Sequence, residues 1–304
     1  MKKQNALIGA LVADAAALGL HWLYEPARLD QIAKAGPVLF RRPDPADFKD
    51  AQGYFAHAGK PAGDSSQYGH SCLLVGRAVG SDGSYDRAAH QNSYLQVFGP
   101  GGSWVGYADK VNRGVVVKLA GAGADGYPDP SGIDDDQLPA IAAVPALFAA
   151  GCQRSALDAA VAVTNINADA AAAAAALFAA LSAVAAGKDA AGALSDAAEQ
   201  CPAPEMGKSL AEAVQMQPLE VRAAAERFGM SCRVSHGMPV AWHIVANAAN
   251  FEQALEANTI AGGDSCGRAL AVGALAGLIF GVPDDLVAKT RIIAANQQLL
   301  AKFA

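Results

Sequence analysis

Hydrophobic positions along this chain fall in runs with the period of a helix, and nowhere do apolar and polar residues alternate as on a half-buried strand. The first run, residues 5–25, is apolar almost throughout, with Gly9, Ala13, Ala16 and Ala17 forming a small face for close helix contact. Residues 26–64 break the pattern. Pro26, Pro37, Pro43, Pro45 and Pro61, among several Gly and Asp residues, predict a long surface excursion with short helical pieces. Helical spacing resumes over 65–79, 81–98 and 108–121, with loops at 99–107 and 123–132. A helix over 133–150 is expected to start on Asp134, Asp135 and Asp136, because carboxylates suit the positive end of the helix dipole.

Further helices are expected over 155–164, 168–186, 190–199, 208–216 and 219–228, the last two split by Pro218. Residues 239–248 read as a helix with Pro239 in its first turn, and 251–258 as a short one. The apolar stretch 265–280 ends at Gly281 with Pro283 beyond, a helix stop, and 284–302 closes the chain. Helices with no strand series imply an all-α fold, a single compact multi-helix bundle domain spanning 1–304.

Composition sharpens this picture. Over 304 residues, hydrophobic types make up 52% and charged types 17%, enough for a large core with little left for disordered tails. The abundant alanine favours helix over strand. The net charge of −6 and the lack of any Lys/Arg run exclude a nucleic-acid surface of the usual kind. The five cysteines are widely spaced with no C-x-x-C pair, so a disulfide framework or four-cysteine zinc site has no support. Reduced thiols in a cytoplasmic protein are the expectation. Lys2 and Lys3 before an apolar run mimic a signal peptide, but Asp14 and the bulky His21-Trp22 favour a buried first helix. The best membrane candidate, 269–282, is too short to span about 30 Å of hydrocarbon, so no membrane partner is expected.

Two glycine–aspartate elements carry the candidate chemistry: AGDSSQYG at 62–69 and AGGDSCGRA at 261–269. Each sets an Asp after Gly at the mouth of a helix, followed by hydroxyl residues. Such an end can bind an anion through its free amides, or a hard cation through oxygen ligands. Helix capping accounts for either element alone; their pairing is what draws notice.

The pairing resembles the ADP-ribosylglycohydrolase family, which includes the dinitrogenase-reductase-activating glycohydrolases. Gly9 through Asp14, Gly19, Tyr24 and Glu25 are similar to the family's opening helix, Gly63-Asp64-Ser65-Ser66 to its Thr-Asp-Asp-Thr element, and Gly262-Gly263-Asp264-Ser265-Cys266-Gly267 to its C-terminal Gly-Gly-Asp-Thr-Asp-Thr. The resemblance implies hydrolysis of a glycosidic bond in an ADP-ribosyl or related nucleotide-sugar substrate. It also implies a magnesium or manganese site drawing on Asp64, Ser65 and Asp264. Ser66, Gly262, Gly263 and Ser265 would contact substrate, and Glu25 and Asp264 would serve catalysis.

This chain departs from that pattern at Gly63, Ser65, Cys266 and Gly267. With carboxylates lost, one ion rather than two is expected, or none. Cys266 followed by Arg268 is similar to the branch containing selenoprotein J and the J-type crystallins of jellyfish. Three readings of Cys266 stand open: an inert core residue, a thiolate activated by the helix end and Arg268, or a soft metal ligand. Two further functions follow from these openings, a Cys266-dependent enzyme on the same scaffold and a non-catalytic crystallin-like binder. The histidines, His21 and His57 among them, are scattered and define no motif.

Overall fold

Two apolar helices, Gln4–Ala17 and Ser265–Phe280, lie backbone to backbone through the middle of the molecule. Glycine makes this approach possible: a Cβ on Gly273 would overlap the carbonyl oxygen of Gly9, and one on Gly9 would overlap that of Gly273. Both helices are buried on nearly every side, which is why neither shows a polar stripe.

The structure, a computed structural model, describes residues 2–122, 126–216 and 221–304. In chain order the helices are α1 (Gln4–Ala17), α2 (Pro26–Ala35), α3 (Pro45–Phe48), α4 (Gln67–Arg77), α5 (Arg87–Phe98) and α6 (Lys110–Ala120). Then come α7 (Val144–Ala149), α8 (Arg154–Thr164), α9 (Ala168–Ala185), α10 (Ala190–Glu199), α11 (Pro204–Gln215) and α12 (Val221–Phe228). The last are α13 (Val234–Asn247), α14 (Phe251–Ile260), α15 (Ser265–Phe280), α16 (Asp284–Lys289), α17 (Arg291–Ala295) and α18 (Gln297–Leu300). Among the described residues there is no sheet, only isolated bridges such as Leu23 with Gly53 and Gln137 with Arg233. The all-α bundle expected from the sequence is the observed fold. α9, α13 and α14 pack around α15, and α4, α7 and α14 around α1. α9 is long and apolar enough to cross a membrane by composition, but over half of its most apolar stretch is buried within the protein.

The pattern misleads where one residue type has two uses. Pro26 does not break the chain; it opens α2 at a position whose N–H would go unbonded anyway. Asp134, Asp135 and Asp136 start no helix. They lie in a loop, where Asp134 accepts from Asn167, Asp135 pairs with Lys110 and Asp136 with Arg233, and helical structure begins only at Leu138. Pro239 lies inside α13, which starts earlier at Val234, where the backbone N–H donates to Asp136 O. The single closing helix is three short ones. The first break falls at Thr290, beside which the Arg291 N–H donates to Gly63 O and ties the C-terminal segment to the first glycine–aspartate element. The loop residues 123–125 and the break at Pro218 lie outside the described residues.

Replacing Gly273 by Leu forces α1 and α15 apart. The expected loss is about 3 kcal/mol of unfolding free energy, the upper end for overpacking, read by urea denaturation. A loss below about 0.5 kcal/mol would mean that the seam is not close-packed.

Candidate functional site

The two glycine–aspartate elements meet. In the first, Gly63 takes a left-handed φ of 75° and Ser66 caps α4, accepting the Tyr68 N–H at 3.1 Å. In the second, Gly262 and Gly263 have φ of 74° and 65°, and Asp264 caps α15, accepting the Gly267 N–H at 2.8 Å. The cap of the second is bonded to the first turn of α4: the Tyr68 hydroxyl donates to Asp264 Oδ2 at 2.7 Å. Asp14, on α1, joins both elements. Its carboxylate accepts from the Ser66 N–H at 2.9 Å and from the Ser66 hydroxyl, while its backbone carbonyl lies 3.6 Å from Cys266 Sγ.

Asp264 is wholly buried, and its oxygens are used by the protein. Besides Tyr68 and Gly267, His21 Nε2 donates to Oδ1 at 2.9 Å. Burial alone would raise this carboxyl, but the hydrogen bonds from His21, Tyr68 and Gly267 outweigh it and hold it below the usual carboxylate range. Asp14 goes the other way: burial pushes it up to about 6 despite its bonds from Ser66.

Behind His21 lies His57. His21 Nδ1 and His57 Nε2 are 2.7 Å apart with the rings stacked, and His57 Nδ1 is buried with no partner. Burial above all lowers His57 to about 2, so it is a neutral imidazole. Cys266 Sγ and one nitrogen of each histidine all lie within 4.8 Å of one another.

The predicted site residues separate into those the cluster uses and those it does not. Asp64 is a quarter exposed and pairs with Lys60 Nζ at 2.9 Å, and that ammonium also lies over the Trp104 ring. Ser65 and Ser265 are fully buried, each with an unpartnered hydroxyl. The Ser66 hydroxyl is spent on Asp14. The amides of Gly262 and Gly263 donate to Thr259 O and Leu23 O, so neither offers a free N–H to an anion. Glu25 stands half-buried at the start of α2, apart from the hydrogen bonds of Asp264. Cys266 is not activated as a thiolate. Burial first, then Asp14 and Asp264, push its thiol up, and Arg268 faces elsewhere, donating to Asn258 Oδ1, Asn258 O and Gly262 O.

Sequence reading missed several members. Asp14 lies within α1, and His21 follows the 3-10 turn Leu18–Leu20 at its end, so no helical spacing links them. His57, Lys60 and Asp109 carry no motif. Asp109 caps α6 through Oδ1, while its Oδ2 is buried without a partner. Burial, with Asp264 and Asp135 nearby, pushes it up to about 7. The half-buried Cys232 thiol feels the same carboxylates, and burial followed by Asp264 raises it to about 12. Trp22, Tyr54 and Tyr107 pack ring to ring beside His21 and close the cluster off. Trp22 has a φ of 65°, and its N–H and C=O bond to Gly263 and Tyr54. A surface groove of about 710 Å³ between α2, α12, α13 and α14 includes no residue of this cluster.

Comparison with known proteins follows the same lines. No curated protein matches the sequence. A solved structure titled "ADP-ribosylglycohydrolase-related protein complex" superposes with a TM-score of 0.66 over 99% of this chain and 98% of its own, at 14% identity, a likeness of fold. The profile of the ADP-ribosylglycohydrolase family matches residues 2–303 and does not reach a narrower branch. With nearly every residue inside that match, and with both glycine–aspartate elements joined through Tyr68 and Asp264, the chain belongs to the ADP-ribosylglycohydrolase family.

Proposed function

We propose that this protein hydrolyses a glycosidic bond of an ADP-ribosyl or related nucleotide-sugar group, at the junction of residues 62–69 and 261–268, without a pair of hard cations. Family membership supports the substrate class. The observation that carries the rest is geometric: the two elements join where Tyr68 donates to Asp264, and Gln67 of the first element holds the Asp109 backbone N–H, bringing in a second buried carboxyl that burial raises to about 7 while Asp264 is held low. Glycosidic hydrolysis uses such a pair, one group to protonate the leaving oxygen and one to stay ionised beside the developing positive charge. Asp109, with its free Oδ2, fits the acid. Asp264, held by His21 and Tyr68, fits the fixed anion.

A binuclear magnesium or manganese site fits these residues poorly. Hard cations need several free oxygen ligands. Here the Asp64 carboxylate is paired with the Lys60 ammonium, Asp264 already accepts three hydrogen bonds, and Asp14 accepts two from Ser66. The buried hydroxyls of Ser65 and Ser265 have no partner. A non-catalytic binder is the second reading, favoured by the complete burial of Asp264, Ser265 and Cys266 beneath the aromatic wall. A Cys266-dependent reaction lacks that support, since the thiol is buried against Asp14.

The test is release of ADP-ribose from ADP-ribosylated peptides, with ADP-ribose binding measured by calorimetry. Activity requires Asp109 protonated, so kcat/KM is expected to be full below pH 6 and to fall as pH rises through about 7. Asp109→Asn is expected to lose about 10²- to 10⁴-fold in kcat. Binding of ADP-ribose without turnover would leave the binder; neither binding nor turnover at millimolar ligand would remove both readings.

Metal dependence is a separate prediction. Wild-type rates with and without added magnesium or manganese should agree within about twofold, since two lost hard ligands cost far more than that. A rise of tenfold or more on adding either ion would overturn the metal-free assignment.

A further inference from the structure

Beside Asp264, His21 has a second imidazole and a thiol for neighbours. We propose that His21, His57 and Cys266 form a binding site for one borderline-soft divalent cation, zinc foremost, distinct from any magnesium site. The three side chains come from three distant parts of the chain, all are buried, and a donor atom of each lies within 4.8 Å of the other two.

Their arrangement has the features such a site needs. His21 donates its Nε2–H to Asp264 Oδ1, because an ionised carboxylate can only accept. That bond fixes the tautomer and turns the Nδ1 lone pair toward His57. A carboxylate behind a histidine is the usual outer support of a metal-bound imidazole. His57 Nδ1 is buried and unpartnered, so the ring gains no fixed orientation from the protein except through His21.

The site as seen is closed on a proton. His21 Nδ1 and His57 Nε2 are 2.7 Å apart, a hydrogen bond. Two nitrogens on one tetrahedral zinc, each about 2.0–2.1 Å from it, are separated by about 3.3 Å. The rings must therefore part by about 0.6 Å, with the proton moving to His57 Nδ1, the atom that lacks a partner. The Cys266 thiol gives its proton to solvent as sulfur joins the metal. Two imidazoles and one thiolate match zinc, cobalt(II) or copper, and are a poor match for magnesium. This proposal does not rest on the hydrolytic reading and stands if no substrate is turned over.

The experiment uses the full chain, stripped with a chelator and kept reduced. Cobalt(II) is titrated first, followed in the near ultraviolet for the thiolate-to-cobalt charge-transfer band, and zinc is then measured by competition with a chromophoric chelator. One zinc per chain is expected, bound tighter than about 1 μM. Magnesium should not compete even at thousandfold excess. Cys266→Ser should abolish the band, His57→Gln should weaken zinc by at least about tenfold, and Cys232→Ser should leave both unchanged. Circular dichroism confirms that each variant is folded, but the wild-type titration decides on its own. Zinc that binds only weakly, or a cobalt band that survives in Cys266→Ser or vanishes in Cys232→Ser, overturns the assignment.

Discussion

An ionised carboxylate at the centre of a helical core must be surrounded by donors, and the arrangement here follows from meeting that need for Asp264. Removing a charge from water costs several kcal/mol unless hydrogen bonds replace the solvent. Asp264 recovers them from the end of the α1 segment through His21, from α4 through Tyr68, and from its own helix through Gly267. Three pieces of chain that are remote in sequence are thereby fixed at one point. The glycine seam of α1 and α15 makes this geometry reachable, since it lets His21 come within 2.9 Å of the cap of a neighbouring helix.

The same need explains why the first glycine–aspartate element behaves differently from the second. Asp64 lies nearer solvent and takes a lysine from four residues upstream. Asp14 is buried without a cation bonded to it, and it meets its cost partly by hydrogen bonds from Ser66 and partly by a raised affinity for a proton. Three aspartates in one small region thus carry three different electrostatic solutions: an ion pair, a raised proton affinity offset by two bonds from Ser66, and hydrogen bonds from three donors. The family's fold is retained, and at its centre the carboxylates lie beside two imidazoles and a thiol.

Much of this was legible in the chain, and the division is physical. α15 runs over the residues expected, Ser265–Phe280, because its cap, apolar length and glycine stop are all local signals. The paired elements were visible for the same reason. Asp134–Asp136 were misread because an acidic run suits a helix start and equally suits a loop that pairs with Lys110 and Arg233. Pro239 was placed too early because its tolerance inside α13 is set by tertiary packing. His57 and Asp109 could not be found at all. Their roles arise from burial and from neighbours more than thirty residues away, and no spacing in the chain encodes that. Arg268 shows the opposite error: its closeness to Cys266 in sequence suggested activation, whereas its guanidinium clamps the Asn258–Gly262 turn.

The tryptophan at the cluster's edge has an energetic consequence. A left-handed backbone at a bulky residue costs about 1–3 kcal/mol, and Trp22 holds it because bonds to Gly263 and Tyr54 and two tyrosine rings keep it there. That conformational cost is subtracted from what the bonds and ring contacts contribute, so the aromatic wall adds less to stability than its contacts alone would suggest.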